Sequence, residues 1–421
     1  MIQWQFDGDP NFSSFRGKKL EPSELLPTSL YDKLFFMKKI LTGVKPTGEQ
    51  MHLGNLLGAV LPFKKLAENN DAAIFIADLH ALTSVKSAGD LQRNTHEMAL
   101  TYFSIFGIDT PVHIFRQSDI PPIPKLNWIL NNVTPYSLML RAHSFKDFQQ
   151  KRNKMLYELA YKEWCNQTYI GVKEILDVSK PNPEYSQQLS VTIQKNEQEI
   201  KDRHKELKEF IENYENNLNM GVFNYPILMA TDILAYDTDI VPVGQDQKQH
   251  LEMTRDIAKA FNKTYKTDIF KLPSEYIEKD VSVLPGIDGR KMSKSYGNFI
   301  GIFDDDKALK KKVMSIVTDS KGVDDIKDPN ACNVFALIKT FATADKVESI
   351  RVKYLAPGYG YGHAKLELLE ILTEYLKPYR DARATLEKHP ELIEAKLQEG
   401  ARIMNERIEA KMQEVKEVVG L

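Results

Sequence analysis

Residues 46–55 form a short motif whose residue types suit the binding of phosphate groups. Gly48 permits a tight turn, and Gly54 permits another molecule to approach the backbone closely. His52 and Asn55 are three positions apart, so they share one face of a predicted helix. A helix N-terminus with imidazole and amide donors beside it favours a triphosphate as the ligand.

A second motif, residues 289–295, places two lysines in a short loop. Lys291 and Lys294 are three positions apart, and the glycines near them are Gly286, Gly289 and Gly297. Such a loop can move, and its ammonium groups can stabilise the charge of a leaving pyrophosphate. Either motif alone is weak evidence for a nucleotide-binding site. A loop rich in Lys and Ser is usually a solvated surface.

Polar clusters follow four predicted strands. They are residues 45–48, 78–83, 117–119 and 244–247. Open α/β sheets bind ligands beyond the carboxyl ends of their strands, so the clusters together predict one convergent site. The alternative is that strand ends are polar because loops are exposed, and for any single cluster that alternative is favoured.

Apolar runs alternate with helix-period patterns from Met37 onward. The runs predict strands at residues 40–44, 72–77, 112–115 and 239–243, and the patterns predict helices at residues 53–69, 91–106 and 249–262. This alternation implies an α/β fold, a doubly wound parallel sheet with helices on both faces. Residues 305–421 keep helical spacing almost throughout, which predicts an all-helical C-terminal domain.

The predicted organisation has five segments. They are an N-terminal extension (1–36), the first half of the sheet domain (37–149), a charged helical insertion (150–220), the second half with the lysine loop (221–304) and the helical region (305–421). Helix-period apolar residues on a charged background predict a helical hairpin or short antiparallel coiled coil in the insertion. The alternative is a solvated structural insertion, because charged helix faces usually contact water.

The composition excludes several classes of protein. A chain of 421 residues with 42% hydrophobic and 27% charged residues is neither disordered, nor a fibrous repeat, nor a disulfide scaffold. Two cysteines, Cys165 and Cys332, favour a reducing compartment and predict a cytoplasmic protein. No apolar run approaches the ~20 residues of a membrane span. The formal net charge of -2 gives no sign of a nucleic-acid partner, although a local basic surface would be enough for one.

In this order and on this predicted sheet, the two motifs resemble the signatures of class I aminoacyl-tRNA synthetases, commonly written HIGH and KMSKS. The first reads HLGN at residues 52–55, with Asn as its last residue, and the second matches outright at residues 291–295. The resemblance implies a Rossmann-like catalytic domain, with residues 305–421 as the anticodon-binding region.

Other stretches resemble the bacterial tryptophanyl branch of that family. They are residues 77–81, 225–234, 244–252 and 358–360, with Arg141, Phe145 and Lys146. The discriminating feature is Met229 followed three residues later by Asp232 on one helical face. An indole has one N–H donor and no acceptor, so an apolar wall and one buried carboxylate complement it. The resemblance runs over residues 38–148 and 221–421, and it leaves out residues 1–36 and 150–220.

The resemblance implies a set of contacts with ATP. They are Lys45, Pro46, Thr47, Gly54, Asn55, Gly244, Gln245, Asp246, Lys291, Met292, Ser293, Lys294 and Ser295. Lys45 and Thr47 are expected at the phosphates, and residues 244–246 at the adenosine ribose. The expected catalytic residues are His52, Asn55, Lys291 and Lys294, the two lysines stabilising pyrophosphate in the transition state. Many bacterial relatives carry Gln where this chain has Lys45, which adds a charge near the phosphates.

The expected tryptophan contacts are Asp232, Met229, Tyr225, His80 and Gln247. Asp232 would accept the indole N–H, and Tyr225, His80 and Gln247 would hold the amino-acid end. A site that must pair a substrate N–H rejects analogues without it by ~10⁴-fold or more, so no editing domain is required.

The resemblance also implies the partners. They are L-tryptophan, ATP accompanied by Mg²⁺, tRNA(Trp) and a second copy of the chain in a homodimer. The phosphates and water would hold the Mg²⁺, and the sequence shows no Cys/His spacing typical of a bound metal centre. The dimer is expected to form through the first half of the catalytic domain.

Three alternatives remain open at this stage. A tyrosyl-tRNA synthetase shares the Gly-x-Asp-Gln pattern of residues 244–247, but Met229 and Asp232 argue against it. A catalytically silent, RNA-binding paralogue would not be expected to keep His52, Lys291 and Lys294. Another nucleotidyltransferase that activates a small acid without RNA would lack the long C-terminal helical region.

Overall fold

The computed structural model describes residues 37–48, 50–179, 183–217, 219–277 and 284–421. Predictions for residues 1–36, and for the side chains of Phe145, Lys146 and Asp246, lie outside the described residues. Within the described chain, no helix is both long enough and apolar enough to cross a membrane. The two cysteines, Cys165 and Cys332, are not bonded to each other.

A five-stranded parallel sheet forms the centre of the molecule. Its strands are β1 (Lys39–Val44), β2 (Asp71–Ile76), β3 (His113–Arg116), β4 (Ile240–Pro242) and β5 (Ser274–Tyr276), in the spatial order β3-β2-β1-β4-β5. Strand β1 pairs with β2 on one side and β4 on the other, in parallel register. The predicted doubly wound α/β fold is therefore confirmed, because strand order reverses direction at β1.

Fifteen α-helices are described. They are α1 (Leu53–Asn55), α2 (Leu61–Ala67), α3 (Asp78–Ala81), α4 (Ala88–Phe106), α5 (Pro122–Asn131), α6 (Tyr136–Met139), α7 (His143–Ser179), α8 (Pro183–Asn217), α9 (Met220–Leu234), α10 (Lys248–Tyr265), α11 (Asp306–Met314), α12 (Asn333–Phe341), α13 (Ala344–Tyr354), α14 (Tyr361–Leu386) and α15 (Pro390–Val419). A π-helical segment, Leu56–Val60, joins α1 to α2.

Two details differ from the prediction. The helix predicted at residues 53–69 contains the π-helical segment and ends at Ala67. Strand β5 was not predicted, because Ser-Glu-Tyr is too short and too polar to form an apolar run. Its pairing with β4 is what defines it as a strand.

Helices α7 and α8 form an antiparallel hairpin, as the sequence predicted. Arg203 donates to Glu158 at 2.9 Å across the pair, and the rings of Phe148 and Tyr214 stack near its base. The apolar residues buried between the helices are Leu159, Leu189, Ile193 and Leu207. A narrow apolar seam is enough to pair two helices of this length.

The hydrophobic core on one face of the sheet continues into the C-terminal helices. Ile40 and Ile74 from the sheet belong to the same buried cluster as Leu309, Leu368 and Leu372. The last helix, α15, packs on β3, and the guanidinium of Arg116 makes two hydrogen bonds with Glu394, of 2.9 and 2.6 Å. The segment boundaries proposed from the sequence stay predictions.

Gly400 is the residue that lets α15 approach β3. A Cβ at this position would lie 2.3 Å from the carbonyl oxygen of Ile114, which belongs to the strand backbone and cannot rotate away. We expect Gly400→Ala to lower the free energy of unfolding by about 1–3 kcal/mol, as overpacking does. Gly362→Ala is the matched control, because a Cβ there meets nothing within 4 Å. Urea denaturation of both variants tests this, and equal stabilities would contradict the packing argument.

Candidate active site

A cavity of about 700 Å³ opens where β1 and β4 diverge, and we call it the sheet-edge cavity. Its lining includes Lys45 after β1, His80 in α3, Tyr225 and Met229 in α9, Gly244, Gln245 and Gln247 after β4, and Lys291. Three of the four predicted polar clusters therefore supply residues to one cavity. The fourth, after β3, lies behind it.

A second cavity of about 750 Å³, the loop cavity, lies on the other side of the first motif. It is lined by Lys45, Asn55, Lys294, Arg93, Arg383 and further residues of α4 and α14. Lys45 is common to both cavities, and its ammonium donates to Thr83 Oγ1 at 3.0 Å. Partial burial lowers the pKa of the Lys45 ammonium.

The HLGN motif forms a reciprocal cap at the start of α1. The backbone N–H of Asn55 donates to His52 Nδ1 at 3.2 Å, and the N–H of His52 donates to Asn55 Oδ1 at 3.3 Å. This capping box fixes both side chains at the N-terminus of the helical run. A Cβ on Gly54 would lie 2.9 Å from the His52 ring, so the close approach expected at this glycine is made by the imidazole.

The first motif is tied directly to the segment that follows the second motif. The N–H of Leu53 donates to the carbonyl of Ile300 at 3.0 Å, and the N–H of Ile302 donates to that of Met51 at 3.1 Å. His52 and Gly301 form an antiparallel bridge. The lysine loop is therefore anchored beside the start of α1, although the two motifs are far apart in sequence.

Buried Asn298 holds the lysine loop in shape. Its side-chain oxygen accepts from the N–H of Ser293 at 2.8 Å, and its amide donates to Asp288 at 2.6 Å and to the carbonyl of Lys291 at 3.1 Å. A Cβ on Gly286 would collide with Asn298, so a glycine is needed beside it. The outcome is that Lys291 lines the sheet-edge cavity while Lys294 lines the loop cavity.

Asp232 is a buried carboxylate with three hydrogen-bond contacts from two side chains. His80 Nε2 lies 3.0 Å from Oδ2, and Gln117 Nε2 lies 2.8 Å from both oxygens. The exposed fractions of Asp232, His80 and Gln117 are 2%, 3% and 1%. Burial raises the pKa of the Asp232 carboxyl, and the hydrogen bonds from His80 and Gln117 oppose that rise.

His80 is the link between the buried carboxylate and the cavity. Its ring centroid lies 4.3 Å from that of Tyr225, and both residues line the sheet-edge cavity. Since Nε2 faces a carboxylate, it carries the proton, and Nδ1 is the acceptor in the neutral ring. Nδ1 is buried and has no partner among the described residues.

Asp78 joins the ends of β2 and β3. Its carboxylate accepts from the backbone N–H groups of Leu79 at 2.9 Å and Ser118 at 3.0 Å, and from the Ser118 hydroxyl. Burial raises the pKa of the Asp78 carboxyl. These contacts place Gln117, the residue before Ser118, where it can reach Asp232.

The other predicted residues line neither cavity. The Met292 side chain is buried in the hydrophobic core, and Pro46 is also buried. The Ser293 hydroxyl caps the turn at Lys294–Tyr296, and Thr47 and Ser295 are exposed. Asp232 and His52 are buried, and each is hydrogen-bonded to a residue that lines a cavity, His80 and Asn55 respectively. Contacts with ATP remain the prediction for residues 292–295.

Sequence reasoning missed the role of Gln117. The polar cluster after β3 was noticed, but nothing in the sequence showed that the Gln117 amide would meet a residue 115 positions away. Arg93 and Arg383 in the loop cavity were also missed, because they come from helices α4 and α14, outside every motif.

A family model described as class I tRNA synthetases (W and Y) matches residues 37–163 and 191–377. That match covers well over half of the chain. The chain belongs to this class I tRNA synthetase family. Its fold and the positions of its two signature motifs agree with that membership.

Relatives within the family are similar over most of the chain. The tryptophan–tRNA ligase of Fusobacterium nucleatum is 38% identical over 388 residues, which is 91% of this chain and 98% of that protein. The crystal structure of Campylobacter jejuni tryptophanyl-tRNA synthetase complexed with ADP and tryptophan has a TM-score of 0.71 and 33% identity. It covers 91% of this chain and 100% of its own. Aeropyrum pernix tyrosyl-tRNA synthetase, at 16% identity and a TM-score of 0.50, shares the fold.

The family match corrects the range of the resemblance. Residues 150–220 were expected to lie outside it, but the family model covers residues 150–163 and resumes at residue 191. The sequence motifs could not show this, because both stretches are charged helix without conspicuous residues. Between residues 37 and 377, only residues 164–190 fall outside the match.

The contacts of Gln117 predict a stability effect that depends on pH. Burial raises the pKa of the Asp232 carboxyl in the folded state. The contribution of Asp232 to the free energy of unfolding therefore falls as pH rises above the ordinary carboxyl pKa. Gln117→Leu removes the donor that opposes this rise, so it should cost about 1–3 kcal/mol of unfolding free energy at neutral pH. The cost should shrink as the pH is lowered toward 4, because the raised pKa of Asp232 lets its carboxyl take up a proton before an ordinary carboxyl does.

Urea denaturation at pH 4 and pH 7.5 measures this difference. Gln92→Leu, on the exposed surface of α4, is the control for a change from amide to aliphatic side chain. A cost for Gln117→Leu that is the same at both pH values would show that the amide does not act on the Asp232 carboxylate.

Proposed function

We propose that the chain is a tryptophan–tRNA ligase. It activates L-tryptophan with ATP to form tryptophanyl-adenylate and pyrophosphate, and then transfers tryptophan to the 3′ end of its tRNA. The observation that carries the proposal is the buried carboxylate of Asp232, which contacts His80 in the cavity lining shared with Tyr225 and Met229. The similarity to tryptophan–tRNA ligases over most of the chain supports it.

Asp232 and Met229 recognise the indole in this proposal. A carboxylate has about four acceptor positions, and the contacts from His80 and Gln117 leave capacity for one more donor. An ionised carboxylate only accepts hydrogen bonds. It can therefore pair with the indole N–H, but it cannot donate a hydrogen bond to a substrate group that needs a donor. The apolar side chain of Met229 lines the cavity beside it.

The amino-acid end of the substrate is held by His80, Tyr225 and Gln247. The unpartnered Nδ1 of His80 is an acceptor, and a substrate ammonium is the donor that it lacks. Tyr225 and Gln247 line the same cavity. This arrangement supports the role expected for His80 and adds a second one, because the same ring also orients Asp232.

ATP binds across the first motif, with adenosine at Gly244 and Gln245 and the phosphates toward Lys45 and Asn55. The tryptophan carboxylate attacks the α-phosphorus, and the bond to the β-phosphate oxygen breaks, which releases pyrophosphate. A ribose hydroxyl of the tRNA then attacks the acyl carbon and releases AMP. No protein nucleophile is needed, so catalysis depends on positioning and on charge stabilisation.

Lys291 and Lys294 face different cavities, and this supports a division of their roles. Lys291 lines the sheet-edge cavity, while Lys294 lines the loop cavity. The loop cavity also contains Arg93 and Arg383, which pair with the carboxylates of Asp90, Glu97 and Glu387. We therefore assign the leaving pyrophosphate chiefly to Lys294. Mg²⁺ accompanies ATP as part of the substrate, held by phosphates and water. Among the described residues, no three His, Cys, Asp or Glu side chains converge as a metal site.

The remaining parts of the proposal concern larger partners. The helical region, residues 305–421, binds the anticodon part of tRNA(Trp). Two copies associate through the first half of the catalytic domain, where Trp128 and Tyr136 are exposed. The protein acts in the cytoplasm.

Pyrophosphate exchange into ATP, measured with each amino acid in turn, tests the substrate. Tryptophan should support exchange, and tyrosine should be about 10⁴-fold poorer in kcat/KM, because it cannot pair Asp232 in the same way. Charging of tRNA(Trp) transcript with labelled tryptophan tests the second step. Exchange with tyrosine in preference to tryptophan would refute the proposal.

The Lys294→Ala variant tests the role of the lysine loop. If Lys294 stabilises pyrophosphate only in the transition state, kcat for adenylation should fall about 10²–10³-fold while tryptophan affinity changes little. Lys310→Ala, an exposed lysine on α11, is the control and should retain full activity. Single-turnover adenylation and equilibrium binding of tryptophan separate the two effects. An unchanged kcat would remove Lys294 from the catalytic step.

A further inference from the structure

The hairpin of α7 and α8 presents an unusual apolar stripe on its outer face. The stripe follows α7 at spacings of four and three residues: Tyr157, Tyr161, Trp164, Thr168, Gly171, Ile175 and Val178. Tyr157, Trp164 and Val178 are 73%, 66% and 86% exposed. The residues of α7 that pack on α8, such as Leu159 and Asn166, lie on the opposite face.

This spacing is that of a coiled-coil seam. Alternating steps of three and four residues keep one line of side chains facing a partner helix. The stripe extends over three heptad-like repeats, about 32 Å of helix. One face of α7 packs against α8, and the large aromatic residues of the second seam remain exposed among the described residues.

Gly171 gives an independent indication of that partner. It lies within a 37-residue helix, where glycine is less favourable than alanine by about 1 kcal/mol. A Cβ at Gly171 would meet nothing within 4 Å, so no contact with another described residue requires the glycine. A neighbouring molecule that places a large group at this position would require it.

The stripe is complementary to itself when two copies run antiparallel. With Thr168 opposite Thr168 at a two-fold axis, Trp164 faces Gly171, Tyr161 faces Ile175, and Tyr157 faces Val178. Each large aromatic side chain then meets a small or aliphatic one, as close packing requires. In a parallel pair, two indoles would meet at Trp164 and two glycines would leave a gap at Gly171.

The charge of the hairpin favours a protein partner over RNA. Helices α7 and α8 together carry 11 Lys and Arg against 13 Asp and Glu. Binding to a phosphate backbone depends on an excess of positive charge, which these helices lack. A self-complementary face is also what an isologous two-fold interface needs.

We propose that the α7 stripe is a homotypic interface, which pairs antiparallel with the α7 stripe of a second copy of this chain through Trp164 and Gly171. The pairing joins two hairpins away from the sheet. It is separate from any contact between the catalytic domains and does not depend on the aminoacylation chemistry.

Thiol cross-linking of the full chain tests the geometry directly. In a Cys165→Ser background, Thr168→Cys places two thiols at the proposed axis, so mild oxidation should give a disulfide-linked dimer in most of the protein. Tyr157→Cys should not cross-link to itself, because its two copies lie at opposite ends of the seam. Val191→Cys, exposed on α8, is the control for random collisions.

Gly171→Leu tests the pocket for the indole. Leucine strengthens the isolated helix, and its Cβ would meet nothing within 4 Å among the described residues. Its side chain would fill the space that Trp164 of the second copy occupies in the proposed pairing. We expect it to lower Thr168→Cys cross-linking at least tenfold, with unchanged helix content by circular dichroism. Gly89→Ala in α4, where a Cβ also meets nothing, should leave cross-linking unchanged.

Three outcomes would overturn the proposal. The first is Thr168→Cys cross-linking no faster than Val191→Cys, and the second is efficient self-cross-linking of Tyr157→Cys, which indicates a parallel pair. In the third, cross-linking at position 168 is absent and Trp164→Ala weakens the retention of tRNA(Trp) on a filter. That combination would assign the stripe to RNA binding.

Discussion

The pairing of β1 with β2 on one side and β4 on the other is the constraint on which the site depends. Because the strand order reverses at β1, the connections leave it in opposite directions, and a crevice opens at its carboxyl end. Lys45 follows β1 directly and reaches both cavities. The two signature motifs then meet through the backbone bridge between His52 and Gly301, which fixes the lysine loop beside that crevice.

The proposed choice of substrate depends on a second, smaller arrangement, the buried carboxylate of Asp232. Burial alone would favour its protonated form, in which it would be a weaker acceptor for an indole N–H. His80 and Gln117 keep donors against it, and both are placed by the ends of β2 and β3. In the proposed function, the ends of β2 and β3 therefore position the groups that recognise the indole, while the ends of β1 and β4 carry the residues that bind ATP.

Much of this could be predicted from the sequence, because it depends on local patterns. The apolar runs predicted four of the five strands, and helical spacing predicted the α7–α8 hairpin. Strand β5 and the contact of Gln117 with Asp232 depend on pairing between distant residues, which no local pattern encodes. The HLGN motif shows the intermediate case: its residues were recognised, but the reciprocal cap that His52 forms could only be seen in three dimensions.

The packing of α15 against β3 has a consequence for protein engineering. At Gly400 the helix lies so close to the strand that a side chain would not fit, and Glu394 neutralises Arg116, the residue before Gln117. The helical region and the proposed specificity site therefore share one wall. A chimera that exchanges the last helices for those of another synthetase must transplant β3 with them, because a junction between the two cuts through that wall.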